Sequence, residues 1–216
     1  MTFTVINRRT WKREEVFSHY IKQKTSFSLT TELEVDVLYK RVKQKGYTFY
    51  PAFLYLVTSV VNKHVAFRMS FNQEGELGYW SQLEPVYTIF HEKTKLFSGI
   101  WTSMNRDFNH FHTSYLQDVM TYQGSKALFP KKHMPENTVS VSMIPWTSFT
   151  GFHLMIQQDT NYLLPIVTAG KLIEKNQTLY LPVSLQVHHA VCDGYHASMF
   201  MNDCQQLANQ AHEWIK

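Results

Sequence analysis

The residues best suited to chemistry lie between Gln186 and Gly194, in the run Gln-Val-His-His-Ala-Val-Cys-Asp-Gly. An imidazole has an ordinary pKa of about 6.5, so a neutral histidine can remove a proton from a substrate hydroxyl near pH 7. A lone histidine on an apolar face is more often a hydrogen-bonded core residue. The pair His188 and His189, followed by Asp193 and a glycine, is more specific and favours a catalytic base.

The elements on either side of this motif are predicted from their periodicity. From Leu179 onward the odd positions are apolar and the even positions are mostly polar, which is typical of a strand with one buried face. This register places His189 on the buried face and His188 on the other, where a structural role is expected. After Asp193 the apolar residues follow a helical period, and Asp193 or the next glycine is suited to cap that helix. The histidines are therefore expected at a strand-to-helix turn.

Size and composition limit the class of protein. The chain has 216 residues, of which 44% are hydrophobic and 18% charged, so one globular domain over residues 1–216 is predicted. Aromatic residues make up 15%, enough to furnish a pocket for a ring-bearing ligand. The formal charge of +4, on evenly spread lysines and arginines, argues against a nucleic-acid partner.

The two cysteines, Cys192 and Cys204, are expected to be free thiols. Both lie along the predicted helical segment, and their separation by helix rise is far beyond the limit of about 7 Å between α-carbons for a disulfide. Free thiols indicate a reducing compartment. Neither a secretion signal nor an apolar run of about 20 residues occurs in the sequence, so we expect a cytoplasmic protein without a membrane partner.

Strands and helices alternate irregularly along the rest of the chain. Asp36 is expected to cap a helix that Gly46 ends, Pro51 to lie in the first turn of a second helix that reaches about Asn62, and another helix to follow Asn105. Strands are predicted over 27–35, on both sides of a hairpin turn at 72–75 within 65–80, and over 86–90, 138–143, 152–156 and 163–168. Because no strict strand–helix–strand repeat is present, the sequence predicts an α+β fold, a two-layer sandwich with a mixed sheet covered by helices.

The run from His188 to His196 resembles the active-site signature of chloramphenicol acetyltransferases. The resemblance continues through Trp11-Lys12-Arg13, Phe27-Ser28-Leu29-Thr30, Phe49-Tyr50-Pro51, Leu128-Phe129-Pro130, Pro135-Glu136-Asn137 and Ser142-Met143-Ile144-Pro145-Trp146. Dihydrolipoamide acyltransferases share only the core of the motif, and peptide-synthetase condensation domains carry it in much longer chains. The resemblance implies the fold of CoA-dependent acyltransferases. It also implies direct acetyl transfer, in a ternary complex, from acetyl-CoA to the 3-hydroxyl of chloramphenicol, which inactivates the antibiotic and confers resistance.

The resemblance also implies roles for individual residues. His189 matches the general base, whose ring is oriented by a main-chain contact rather than by a triad carboxylate. Asp193 matches a residue that pairs with an arginine, here Arg13, and holds the corner in shape. Ser142 matches the serine that stabilises the oxyanion, and Thr168 matches a threonine that supports the intermediate through water.

Two further groups of residues are implied as binding sites. The acceptor pocket is matched by aromatic and apolar residues, namely Tyr20, Phe27, Phe97, Phe129, Phe152 and Leu154. Trp146 and Lys171 match positions near the adenine and phosphates of coenzyme A, although Leu172 stands where relatives often have an aromatic residue. The resemblance implies a homotrimer with active sites between subunits, and acetyl-CoA as co-substrate. No permanently bound cofactor and no metal site are predicted.

Three alternatives remain open at this point. Cys192 adjoins the histidines and could act as a thiol nucleophile, because thioesters exchange with thiolates. The chain could be a related acyltransferase that acts on another hydroxyl or thiol, or a non-catalytic trimer that sequesters the drug. Release of a thiol from acetyl-CoA on adding chloramphenicol distinguishes the enzymes from the sequestering protein.

Overall fold

The computed structural model describes residues 1–154 and 162–216. A 3₁₀ turn, Val65–Arg68, precedes the third strand. The strands and helices of the described residues are, in chain order, β1 (Phe3–Val5), α1 (Glu14–Gln23), β2 (Ser26–Glu34), α2 (Asp36–Gln44), α3 (Phe49–Lys63), β3 (Met69–Phe71), β4 (Leu77–Trp80), β5 (Glu84–His91), β6 (Leu96–Trp101), α4 (Phe108–Tyr122), β7 (Thr138–Met143), β8 (Ile166–Ala169), β9 (Ile173–Lys175), β10 (Thr178–His188), α5 (Gly194–Asn209) and α6 (Ala211–Trp214).

The main sheet is mixed, as the sequence predicts. Its strands lie in the order β2-β10-β8-β7-β5-β6, and β9 pairs with β10 beyond that path. β10 is antiparallel to β2 and β8, whereas β7 is parallel to both β8 and β5. A second, antiparallel sheet is formed by β1, β4 and β3. This combination of a mixed sheet with covering helices confirms the α+β prediction.

The hydrophobic core lies between the apolar face of the main sheet and the helices. α3 is buried along most of its length because it packs against α2, α4 and α5 as well as against β5 and β7. The odd-numbered residues of β10 point into this core and are fully buried from Leu181 to Val187. None of the helices in the described parts of the chain combines the length and the hydropathy needed to cross a membrane.

The even-numbered residues of β10 from Pro182 to Gln186 are also buried, which the alternating pattern did not predict. Ser184 and Gln186 face the opposite side of the sheet, and both are nearly inaccessible to solvent. The cause is a covering segment, residues 149–154, that lies over this polar face. The Phe149 ring packs against Gly170, where an added Cβ would lie 3.1 Å from the ring. Ser184 Oγ donates a hydrogen bond to the carbonyl of Phe152.

Several predicted elements need correction. The strand expected over 152–156 is wrong for residues 152–154, which form no regular strand, and residues 155–156 lie outside the described residues. Asp36 begins α2 as its first residue instead of capping it, and residues 65–68 form the 3₁₀ turn rather than a strand. The edge strand β6 was not predicted, because Ser98 and Gly99 interrupt its apolar pattern.

Candidate active site

The strand-to-helix turn predicted around the histidine pair is present. β10 ends at His188, and Asp193 is the N-cap of α5 with extended backbone angles of φ −128° and ψ −174°. The Asp193 carboxylate accepts hydrogen bonds from the backbone N–H groups of Tyr195 and His196, at 3.1 and 3.3 Å. An aspartate in this position satisfies donors that the helix itself leaves unpaired. Asp193, rather than Gly194, therefore fixes where the helix begins.

His189 occupies this turn with its backbone and ring both held. Its N–H donates to the carbonyl of Thr25 at 2.8 Å, and its ring Nδ1 lies 3.1 Å from the carbonyl oxygen of Cys192. A carbonyl oxygen can only accept, so Nδ1 carries the hydrogen of this bond. In the neutral ring Nε2 is then the nitrogen with a free lone pair. The main-chain contact expected for the base is thus present, and it leaves Nε2 able to accept a proton.

Two aromatic residues fix the plane of the His189 ring. Tyr20, from α1, stacks face to face with a centroid distance of 3.9 Å and an interplanar angle of 5°. Phe27, from β2, makes an edge contact at 5.3 Å and 66°. The sequence resemblance assigned both residues to the acceptor pocket, and within this chain they contact the His189 imidazole.

Arg13 ties the turn to the start of α1, as the sequence resemblance implied. Its Nη1 donates to Asp193 Oδ2 at 2.9 Å, its Nε to the carbonyl of Ala190 at 2.9 Å, and its Nη2 to the carbonyl of His189 at 3.2 Å. Burial alone would raise the pKa of Asp193. Hydrogen bonds from Arg13 and His196 outweigh that effect, so the pKa of this carboxyl lies well below its ordinary value.

His196 is a residue of the motif to which sequence reasoning gave no role. Its Nδ1 lies 2.7 Å from Asp193 Oδ1 and 3.4 Å from the backbone nitrogen of Asp193. The shorter contact indicates an Nδ1–H that donates to the carboxylate. The signal was available in the spacing, since a polar side chain three positions after an N-cap residue can reach back to that residue.

The other histidine of the pair lies in a different environment. His188 Nδ1 accepts a hydrogen bond from the backbone N–H of Ala190 at 3.1 Å. Burial, and then the neighbouring ring of His189, lower the pKa of His188. His188 is therefore held in its neutral form, and it shapes the same turn.

Cys192 is not arranged as a nucleophile. Its side chain is 1% exposed, and its Sγ lies 3.6 Å from the carbonyl oxygen of Ala66. Burial raises the pKa of the Cys192 thiol far above its ordinary value, so the reactive thiolate is disfavoured. Cys192 belongs to the turn rather than to the helix, and both it and Cys204 are free, as predicted.

Ser142 and Thr168 form a second cluster on the polar face of the sheet. They are direct neighbours on the parallel strands β7 and β8, with Ser142 Oγ 3.2 Å from Thr168 Oγ1. Thr168 in turn lies opposite Ser184 on β10. His189 follows Ser184 by five residues and lies one residue past the end of β10, and Ser142 is two strands away. Strand rise and spacing put the α-carbons of Ser142 and His189 about 19 Å apart. The two residues therefore cannot act on one bond within a single chain.

Phe97, Phe129 and Trp146 lie on the Ser142 side of the sheet, near β5 and β6, whereas Phe152 and Leu154 lie over Ser184 and Gln186 of β10. Phe97 and Phe129 are more than half exposed, and Phe129 packs over Gly99, where a Cβ would stand 2.8 Å from its ring. Phe97 borders a cleft of about 610 Å³ whose wall includes Phe90. Trp146 packs edge-on against Phe90 with a centroid distance of 4.7 Å. This side of the chain exposes a set of large apolar side chains, which also includes Leu96 and Leu128.

The two residues implied at the coenzyme end lie near each other. The backbone N–H of Lys171 donates to the carbonyl of Thr147, the residue after Trp146, at 2.8 Å. Lys171 is exposed. An exposed lysine and an exposed tryptophan thus lie on neighbouring stretches of backbone, and their side-chain types suit a phosphate-bearing ligand with an aromatic base.

Comparison with known proteins identifies relatives of this chain. The family described as chloramphenicol acetyltransferase matches residues 1–205. A chloramphenicol acetyltransferase of Staphylococcus aureus is 57% identical over 215 residues, covering 100% of both chains, and another from the same organism is 50% identical over 207 residues, covering 96% of this chain and 99% of the relative. A solved structure of a chloramphenicol acetyltransferase superposes with a TM-score of 0.84 at 21% identity, covering 95% of this chain and 99% of the other.

The fold is that of the CoA-dependent acyltransferases. Within that class, the chain belongs to the chloramphenicol acetyltransferase family. The prediction of an acetyltransferase enzyme is confirmed by this membership.

We predict that Arg13→Met destabilises the protein by about 2 kcal/mol at pH 7. The value lies below that of a fully buried pair because the Asp193 side chain is 35% exposed. Since the folded-state pKa of Asp193 is depressed, the ion pair stabilises above the ordinary Asp pKa of about 4, and this contribution is lost as the pH falls below it.

Urea unfolding of both proteins between pH 3 and pH 8 measures this difference. The difference in unfolding free energy between the wild type and Arg13→Met should reach its full value at neutral pH and become smaller in acid. Arg9→Met, at an exposed arginine of the preceding turn, is the matched control. A difference that is constant with pH would contradict the assigned ion pair.

Proposed function

We propose that this protein transfers the acetyl group of acetyl-CoA to the 3-hydroxyl of chloramphenicol, by direct attack in a ternary complex, and thereby confers resistance. Family membership over nearly the whole chain supports the reaction type and the two substrates. The observation that carries the mechanism is the His189 Nδ1–H bond to the Cys192 carbonyl, which leaves Nε2 as the proton acceptor. The buried free thiols Cys192 and Cys204 support a cytoplasmic setting.

The chemistry follows from the proton inventory of the side chains. Nε2 of His189 removes the hydroxyl proton while the alcohol oxygen attacks the thioester carbonyl carbon. Ser142 donates its single hydroxyl proton to the developing oxyanion, and accepts a hydrogen bond from Thr168 in return. When the tetrahedral intermediate collapses, the C–S bond breaks, and the departing sulfur takes the proton from the His189 imidazolium. The products are the acetyl ester and free coenzyme A, and the imidazole is neutral again.

The site is proposed to form between subunits of a homotrimer. The separation of about 19 Å between Ser142 and His189 in one chain requires a second copy to bring the two residues together. The exposed apolar side chains around Phe97 and Phe129 support an interface on the Ser142 side. A repeated contact between two different faces closes into a ring when its rotation allows, and three subunits are proposed here.

In this arrangement each subunit contributes to two sites. One subunit supplies His189 with Tyr20 and Phe27 around it, held by Arg13 and Asp193. Its neighbour supplies Ser142 and Thr168. The rest of the acceptor pocket is proposed to be formed by Phe97, Phe129, Phe152 and Leu154, and the coenzyme is proposed to lie along Trp146 and Lys171.

The reaction is tested by following thiol release from acetyl-CoA with chloramphenicol, together with the mass of the product. We expect one acetyl group added per drug molecule, and a fall in kcat of about 10³-fold in His189→Ala. His110→Gln, at an exposed histidine on α4, is the control and should keep full activity.

Three results would contradict the proposal. Drug binding without thiol release would indicate a sequestering protein, and a strong preference for another hydroxyl or thiol would indicate a related acyltransferase. Near-normal turnover in His189→Ala would remove this residue from the role of base.

The shared site predicts complementation between two defective variants. In every trimer that contains both His189→Ala and Ser142→Ala chains, one of the three sites keeps both residues intact, so about a third of wild-type activity is expected for the purified mixed trimer. Co-expression of differently tagged chains, followed by assay of the purified mixed trimer, measures this. Activity no higher than that of the two variants assayed separately would place both residues in one chain's site and overturn the shared arrangement.

A further inference from the structure

Two polar residues near the end of β10 are buried without a catalytic role. Ser184 is 2% exposed and Gln186 is 9% exposed, although both lie on the face of the sheet turned away from the helices. A buried polar side chain is costly unless it is hydrogen-bonded, so the partners of these two residues indicate why polar groups are placed there. Both partners belong to the covering segment, residues 149–154.

The hydrogen bonds to the covering segment are formed by His153 and by the two peptide groups beside it. Ser184 Oγ donates to the Phe152 carbonyl at 2.7 Å, and Gln186 Oε1 accepts from the Leu154 N–H at 2.8 Å. These two peptide groups flank His153. The His153 ring itself reaches the neighbouring strand, with Nδ1 2.7 Å from Ser28 Oγ.

The strand register explains why these bonds form together. Ser28 lies directly opposite Gln186 on the paired strands β2 and β10, and Ser184 lies two residues from Gln186 on the same face. Side chains two apart on a strand point the same way, so the three polar groups form one patch. Residues 151–154 form no regular strand. The hydrogen bonds of this patch therefore hold their backbone, a role that strand-to-strand hydrogen bonds have elsewhere in the sheet.

We propose that Ser28, Ser184 and Gln186 form a clamp that positions Phe152 and Leu154 and so sets the affinity for the acceptor. The inference rests on the proposed function, in which Phe152 and Leu154 belong to the acceptor pocket. The clamp residues are positioning residues, since they contact the backbone and the His153 ring of the covering segment rather than the reacting atoms. The base His189 and the Ser142–Thr168 pair do not depend on these hydrogen bonds, so turnover should be affected less than acceptor binding.

The variants Gln186→Met and Ser184→Ala remove the clamp one bond at a time. Gln186→Met leaves the Leu154 N–H without its acceptor, and we expect KM for chloramphenicol to rise about tenfold, with about threefold for Ser184→Ala. KM for acetyl-CoA should stay within about twofold and kcat within about threefold. Ser184→Thr retains the hydroxyl and should restore the wild-type KM.

The matched control is Thr31→Val. Thr31 lies on the opposite face of β2, and within the described residues its buried hydroxyl makes no hydrogen bond, so a nearly isosteric valine should leave both KM values unchanged. Amide hydrogen exchange gives a readout that does not need activity. The Leu154 amide should exchange faster in Gln186→Met than in the wild type, and at the wild-type rate in Thr31→Val.

An unchanged KM for chloramphenicol in folded Gln186→Met and Ser184→Ala would overturn the inference. So would an equal rise in both KM values, since that would indicate a general loss of structure. If Gln186→Met fails to fold, Ser184→Ala with its Ser184→Thr rescue decides the question. Failure of the proposed function is distinguishable, because it would appear in the wild type as an absence of thiol release with chloramphenicol.

Discussion

The proposed mechanism depends on one hydrogen bond from the His189 ring to the main chain. Nδ1–H donates to the Cys192 carbonyl three residues further on, so the turn between β10 and α5 itself selects the tautomer of the His189 ring. A carboxylate in that place would also orient the ring, but it would favour the imidazolium electrostatically. A neutral carbonyl orients the ring without placing a negative charge beside it.

The rest of the corner serves to keep that carbonyl in place. Asp193 fixes the start of α5, and Arg13 donates to the carbonyls of His189 and Ala190 while it pairs with Asp193. A planar guanidinium with five donors can hold three acceptors at once, which a lysine ammonium cannot do with the same geometry. Tyr20 and Phe27 then limit rotation of the ring. Position, tautomer and ring plane are thus fixed by different residues.

The sequence was sufficient for the local parts of this arrangement. The strand and helix around His189 follow from periodicity, and the N-cap follows from the preference of aspartate for that position. The proximity of Ser142 to Thr168 does not follow from any local pattern, since it depends on the register of two parallel strands separated by 26 residues in sequence. Tertiary contacts also overrode the alternation of β10, because residues 149–154 bury the side that the pattern left to solvent. The roles of the site residues came from resemblance, and the role of His196 was missed because its partner is a cap rather than a reacting group.

The proposed role of His189 is tested most directly by measuring which tautomer its ring adopts. In protein labelled with ¹⁵N-histidine, the two ring nitrogens of His189 are assigned by comparison with His189→Ala at a pH where the ring is neutral. A nitrogen that carries a proton and one with a free lone pair differ widely in chemical shift. The account predicts a protonated Nδ1 and an unprotonated Nε2. A ring with its proton on Nε2 would contradict it, because that nitrogen could not then accept the proton of an alcohol.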